Sequence, residues 1–130
     1  MAKIDLEEFF RAYATCALWS SNDENDKPLD SSYSVDDIAP ECAKAMRETC
    51  ADFIQSNRAD LLEYCQRMHC EQWSGSTRAG HDFWLTRNRH GTGFWDRGLG
   101  DLGKRLTKAA DVYGGIDLYL GDDGFIYGER

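Results

Sequence analysis

The stretch IDLYLGDDGFIYGE, residues 116–129, constrains this chain most. Two runs alternate apolar and polar residues on either side of Asp123-Gly124, a dipeptide favoured in hairpin turns. An antiparallel hairpin is therefore expected over these residues. Just before it, LGDLGKRLTKAADVYG places Leu102, Leu106, Ala109, Ala110 and Tyr113 on one helical face, and Gly114-Gly115 ends that helix.

The N-terminal half reads as helices. Leu6, Phe9, Phe10, Tyr13, Ala14, Ala17 and Leu18 recur at three- and four-residue spacing, which predicts a helix over 4–19. Residues 20–32, SSNDENDKPLDSS, are polar, contain Pro28 and show no period, so they form a solvated loop. Ser34 and Asp37 resemble a capping box, and Val35, Ile38, Cys42, Ala45, Met46, Cys50, Phe53 and Ile54 mark a second helix to about residue 55. Pro40 fits its first turn, where a missing N–H is tolerated. Leu61, Leu62, Cys65 and Met68 restart the pattern as a third helix over 58–70.

At WSGSTRAG, residues 73–80, the composition turns to small and turn-forming residues, an internal boundary. HDFWLTR is then read as a strand, NRHG as a turn and TGFW as the returning strand. The fold expected is α+β in one domain over residues 1–130. An acidic helical part (1–72) packs on a small antiparallel sheet, and the C-terminal part (79–130) has ββαββ order.

The net charge of −8 is uneven: residues 1–71 carry −8, residues 72–97 carry +2 and residues 98–130 carry −2. An acidic body argues against direct nucleic-acid binding, which rests on neutralising phosphates. No run approaches the roughly 20 apolar residues of a membrane span, and MAKIDLEEFFRAY has no secretory h-region. Cys16, Cys42, Cys50, Cys65 and Cys70 are odd in number and several sit on apolar helix faces, so buried free thiols are expected.

Four constellations in the sequence bear on chemistry. Cys65, His69 and Cys70 lie within six residues and His81 could add a fourth ligand, but CQRMHC matches no paired zinc spacing; two thiols and a helix-end histidine account for it, and no metal is expected. Gly98, Gly100 and Gly103 spell G-x-G-x-x-G with Asp122 and Asp123 downstream, yet the parallel βαβ setting of a dinucleotide site is missing, so no cofactor is expected. A calcium loop centred on Gly124 would have Tyr119 and Gly121 where acids belong, and Arg130 at its closing position. Finally, His81 and Asp82 with His90 offer an acid/base set, with Arg87 or Arg97 to hold an anion. Strand alternation would send His81 and Asp82 to opposite faces, and no nucleophile stands beside them in sequence, so the segment reads mostly as core and turn. Trp84, Arg87, Asn88, Arg89, His90, Trp95, Asp96 and Arg97 are the candidate binding residues, because Trp and Arg are common anchors of protein recognition.

Residues 79–127, AGHDFWLTRNRHGTGFWDRGLGDLGKRLTKAADVYGGIDLYLGDDGFIY, resemble a family of small, mostly uncharacterised bacteriophage and prophage proteins. Its shared pattern is AGHDFWLTRNxHGxGFWDR, then a Leu-Gly-rich helix, then a DLYxGDDG hairpin. The resemblance implies a phage-encoded protein acting in the host cytoplasm and carries no catalytic roles with it. With the acidic body, it leads us to expect a non-enzymatic host-interaction protein, such as an anti-CRISPR-like inhibitor of a bacterial defence complex. Its partner would be a host or phage protein complex, met through an acidic surface, with no membrane involved. The alternative is a small phage enzyme or DNA-metabolism accessory using His81, Asp82 and His90.

Overall fold

A computed structural model describes residues 3–23 and 25–129. Arg130, considered above as the end of a calcium loop, and Met1 and Ala2, at the start of the leader reading, lie outside the described residues. The first helix, α1, spans Leu6–Ser20. The Asp5 carboxylate caps it by accepting the Glu8 N–H at 3.0 Å. Its stripe of Phe9, Phe10, Tyr13, Ala14, Ala17 and Leu18 is buried as the spacing predicts. The loop that follows is pinned by Leu29, which is 1% exposed. Two short 3₁₀ turns, Leu29–Ser31 and Val35–Asp37, lead onward, and the Asp37 carboxylate accepts the Ser34 N–H at 2.8 Å. Helix α2 (Pro40–Ser56) begins at Pro40 rather than at Val35, and Asn57 separates it from α3 (Arg58–Met68).

The next element corrects the sequence reading. The segment expected to form the first hairpin is helix α4 (Gly75–Arg87), followed by a turn and a 3₁₀ turn at Phe94–Asp96. The order after residue 72 is helix, 3₁₀ turn, helix, hairpin, not ββαββ. Ten of the thirteen α4 residues are buried, so the helix is central and lacks the one-sided stripe by which surface helices are recognised. Phe83, Trp84 and Leu85 point to different neighbours on one helix instead of alternating across a sheet. Ser74 caps its start, its Oγ accepting the Thr77 N–H at 3.1 Å. Gly80 lets α4 cross α1 closely: a Cβ built there would stand 2.1 Å from the Phe9 carbonyl oxygen.

Helix α5 (Asp101–Asp111) and the hairpin β1 (Asp117–Leu120) and β2 (Ile126–Glu129) form as expected. The strands pair antiparallel with Leu120 opposite Ile126. Gly121 N–H closes the turn on the Phe125 carbonyl at 2.8 Å, and Gly124 adopts φ 85°, a left-handed conformation suited to glycine. Gly98 and Gly100, both at positive φ, make the turn into α5, and Gly103 packs against the Phe94 carbonyl. The α+β class with N-terminal helices therefore holds, with one two-stranded sheet among the described residues. No helix among them is long and apolar enough to cross a membrane.

The core is an aromatic cluster built around α4. Phe53 stacks on Phe83 with ring centroids 4.0 Å apart, and Phe9, Tyr13, Phe94 and Tyr113 surround that pair. Arg87, 4% exposed, ties the end of α4 to the chain leaving α5. Its guanidinium donates to the Gly114 carbonyl at 2.7 Å, the Tyr113 carbonyl at 3.0 Å and the Tyr13 hydroxyl at 3.0 Å. Asn88 continues the clamp, donating to the Trp84 carbonyl and accepting the Ile116 N–H. Charged hydrogen bonds that satisfy buried carbonyls are costly to remove, so Arg87→Met should lower unfolding free energy by about 3 kcal/mol. The midpoint and slope of a denaturant titration measure this. An unchanged midpoint would mean that the cost of burying the guanidinium cancels its bonds.

Candidate functional site

Helical geometry rearranges the candidate residues. Trp84 is 1% exposed, with its indole N–H donating to Ser20 Oγ at 2.7 Å. Arg87 is the buried clamp described above, and Asn88 is half-buried beside it. These three hold the fold and do not present a surface. Arg89 and His90 are exposed in the turn after α4, with Arg89 at φ 54° and its Nε 3.9 Å from the Asp111 carboxylate. Trp95 is 45% exposed, and Asp96 accepts a hydrogen bond from the Thr92 hydroxyl at 2.8 Å.

Asp82 is the polar hub of the segment. Its side chain is 2% exposed, and it accepts bonds from Arg97 Nη2 at 2.6 Å, Arg97 Nε at 3.1 Å and the Tyr64 hydroxyl at 2.5 Å. Burial by itself would raise this carboxyl. His81, Arg97 and Tyr64 together outweigh it and hold Asp82 below the ordinary aspartate range. Burial and the adjacent Asp82 charge push the Tyr64 hydroxyl up.

His81 and Asp82 do not go to opposite faces, as strand alternation required. Consecutive residues on a helix are about 100° apart, and His81 Nδ1 stands 4.0 Å from Asp82 Oδ1. Both border a cleft of about 250 Å³. Arg78 and Arg97 line it too, and the turn after α3 adds Cys70, Gln72 and Trp73. The Trp73 ring meets the His81 ring edge-on, with centroids 5.8 Å apart. His90 does not line this cleft. The sequence reading brought His81 to Cys70 only as a possible fourth zinc ligand and did not foresee the cleft that they share with Asp82, Arg78 and Arg97.

Cys16, Cys50 and Cys65 are buried, and Cys42 and Cys70 are half-buried. Cys65 sits against Gly75, where an added Cβ would meet its Cα at 2.5 Å. Among the described residues no three His, Cys, Asp or Glu side chains gather as a metal site would require.

A second surface forms at the other end of the chain. The parallel bridge between Ile38 and Ile126, and the Ala39 N–H bonded to the Ile126 carbonyl at 2.8 Å, hold the segment before α2 against the hairpin. A cleft of about 440 Å³ lies between them, with Asn22, Asp23, Asn25 and Tyr33 on one wall. Leu118, Tyr119, Leu120 and Asp122 form the other. Residues 21–37 contribute Asp23, Asp26, Asp30, Asp36 and Asp37, and the hairpin contributes Asp117, Asp122 and Asp123. Lys27 is the one basic residue among the described residues of these two segments. Asp123 accepts the Tyr127 hydroxyl and the Phe125 N–H, which together hold its carboxyl below the ordinary aspartate value.

No protein-family model, curated protein or solved structure matches this chain.

Proposed function

We propose that this chain is a phage-encoded, non-enzymatic host-interaction protein, an anti-CRISPR-like inhibitor that occupies a basic, nucleic-acid-binding groove of a bacterial defence complex in the host cytoplasm. One observation carries the reading: the acidic loop and the C-terminal hairpin, some ninety residues apart, are brought together around one cleft. Asp23 and Asp122 line that cleft with Tyr119 (46% exposed) and Leu120 (41%), and the described residues of the two segments carry eight aspartates against one lysine. A face of dense negative charge with aromatic anchors suits a groove built for a polyanion, since complementary potentials steer association and exclude wrong partners. The phage origin rests on the signature of residues 79–127.

Asp30, Asp36 and Asp122 are exposed and make no side-chain hydrogen bond or ion pair among the described residues, so they are the residues to reverse. Capture from an infected-cell lysate should retain a complex whose nucleic-acid binding the native chain blocks. The triple change to lysine should slow association about tenfold or more at low salt and abolish the block, while leaving thermal unfolding nearly unchanged. Equal inhibition by the reversed protein, or capture insensitive to salt, overturns the reading. The enzymatic alternative has less support: Asp82 is consumed by Arg97 and Tyr64, and His90 stands outside the cleft that holds His81.

A further inference from the structure

The cleft between the α3–α4 turn and α4 is cationic in an otherwise acidic protein. Arg78, Arg97 and His81 line it with the Cys70 thiol, and Trp73 forms an aromatic wall. Among the described residues Asp82 is the one carboxylate bordering it, and its side chain is buried and committed to Arg97 and Tyr64. Arg78 has no carboxylate partner among the described residues, and the Nη1 of Arg97 makes no hydrogen bond there. Such an arrangement leaves cationic capacity facing a half-exposed thiol.

We propose that this cleft is an anion-guided thiol site, in which Cys70 exchanges with small disulfides that carry carboxylates. The carboxylate of the incoming molecule pairs with Arg78 and its chain lies along Trp73. The Cys70 thiolate attacks one sulfur of the disulfide. A new S–S bond forms at Cys70 as the old one breaks, and the second sulfur leaves as a thiolate with the electron pair. The thiol proton has gone to solvent, and the incoming disulfide is the only oxidant the step needs.

Reactivity differences among the five cysteines agree with this geometry. The backbone of Trp73 and Gln72, helped by Arg78, holds the Cys70 thiol below its usual value. Burial pushes Cys16 up to about 12 and Cys65 up to about 11, and it raises Cys42 and Cys50 as well. The inference is independent of the acidic face, which lies on other elements.

The experiment treats the intact reduced protein with glutathione disulfide, an anionic probe, and with hydroxyethyl disulfide, a neutral one. Peptide mapping by mass spectrometry locates the adducts. The first adduct should map to Cys70 with both probes and vanish in Cys70→Ser. Arg78→Gln should reduce the preference for the anionic probe about fivefold, the value of one nearby unit charge in water. Added salt should reduce the same preference in the native protein. At a thiol governed by the net charge of −8, salt would raise it instead. Should Arg78→Gln unfold, all five thiols would react together and the salt arm decides. A first adduct elsewhere, a preference unmoved by Arg78→Gln in a folded variant, or a preference that rises with salt overturns the proposal.

Discussion

Gly80→Ala is expected to destabilise the protein by about 3 kcal/mol or more and to lower its melting temperature by roughly 10 °C. In an exposed helix the same change would stabilise by nearly 1 kcal/mol, because alanine is the better helix former. Here the new methyl would stand 2.1 Å from the Phe9 carbonyl oxygen and 2.9 Å from its carbon, both backbone atoms of α1. Neither atom can swing aside as a flexible side chain does, so α1 and α4 must separate. That separation opens the packing of Phe9 and Tyr13 against Phe83, with centroids now 5.9 and 5.4 Å apart. Loosened core contacts lose both transfer and dispersion energy, and the clash outweighs propensity. Thermal unfolding followed by near-ultraviolet circular dichroism reads the result directly. A melting temperature equal to or above that of the native chain would rule out a close crossing at Gly80.

That same glycine shows where the sequence could be read and where it misled. α1, α5 and the C-terminal hairpin each bury one side, so their stripes and alternation are visible in the residues themselves. α4 is enclosed on most sides, and burial all round erases the period that would mark it as a helix. Phe83-Trp84-Leu85-Thr86 then looks like a buried strand, and Gly80 looks like part of a turn. One local signal is present: Ser74, whose Oγ accepts the Thr77 N–H and caps the first turn of the helix. The site suffers from the same error. With α4 taken as a strand, His81 and Asp82 diverge; on a helix they border one cleft together with Cys70. The acidity of residues 20–32 was plain in the sequence, but its meeting with the hairpin depends on the Ile38–Ile126 bridge, a contact that no local pattern encodes.

Asp82 and Arg97 should show the second large effect, and its dependence on pH is specific. The folded carboxyl lies below its ordinary value, while in the unfolded chain it titrates near about 3.9. Its contribution is therefore complete above about pH 4 and is lost as pH falls through the lower folded value. Removing one partner of a buried pair costs about 3–5 kcal/mol, so both Asp82→Asn and Arg97→Met should be strongly destabilised at pH 7. The two should differ in slope. Without Arg97, only His81 and Tyr64 oppose burial at Asp82, so the depression of its carboxyl shrinks. The Arg97→Met protein therefore loses less stability from this group than the native protein as pH falls. Combining Asp82→Asn with Arg97→Met removes the unpaired buried charge, and the double variant should be more stable at pH 7 than Arg97→Met alone. Denaturant titrations of the four proteins between pH 3 and 7 separate these outcomes. If Arg97→Met and the double variant unfold at the same midpoint throughout, Asp82 carries no buried charge for Arg97 to balance.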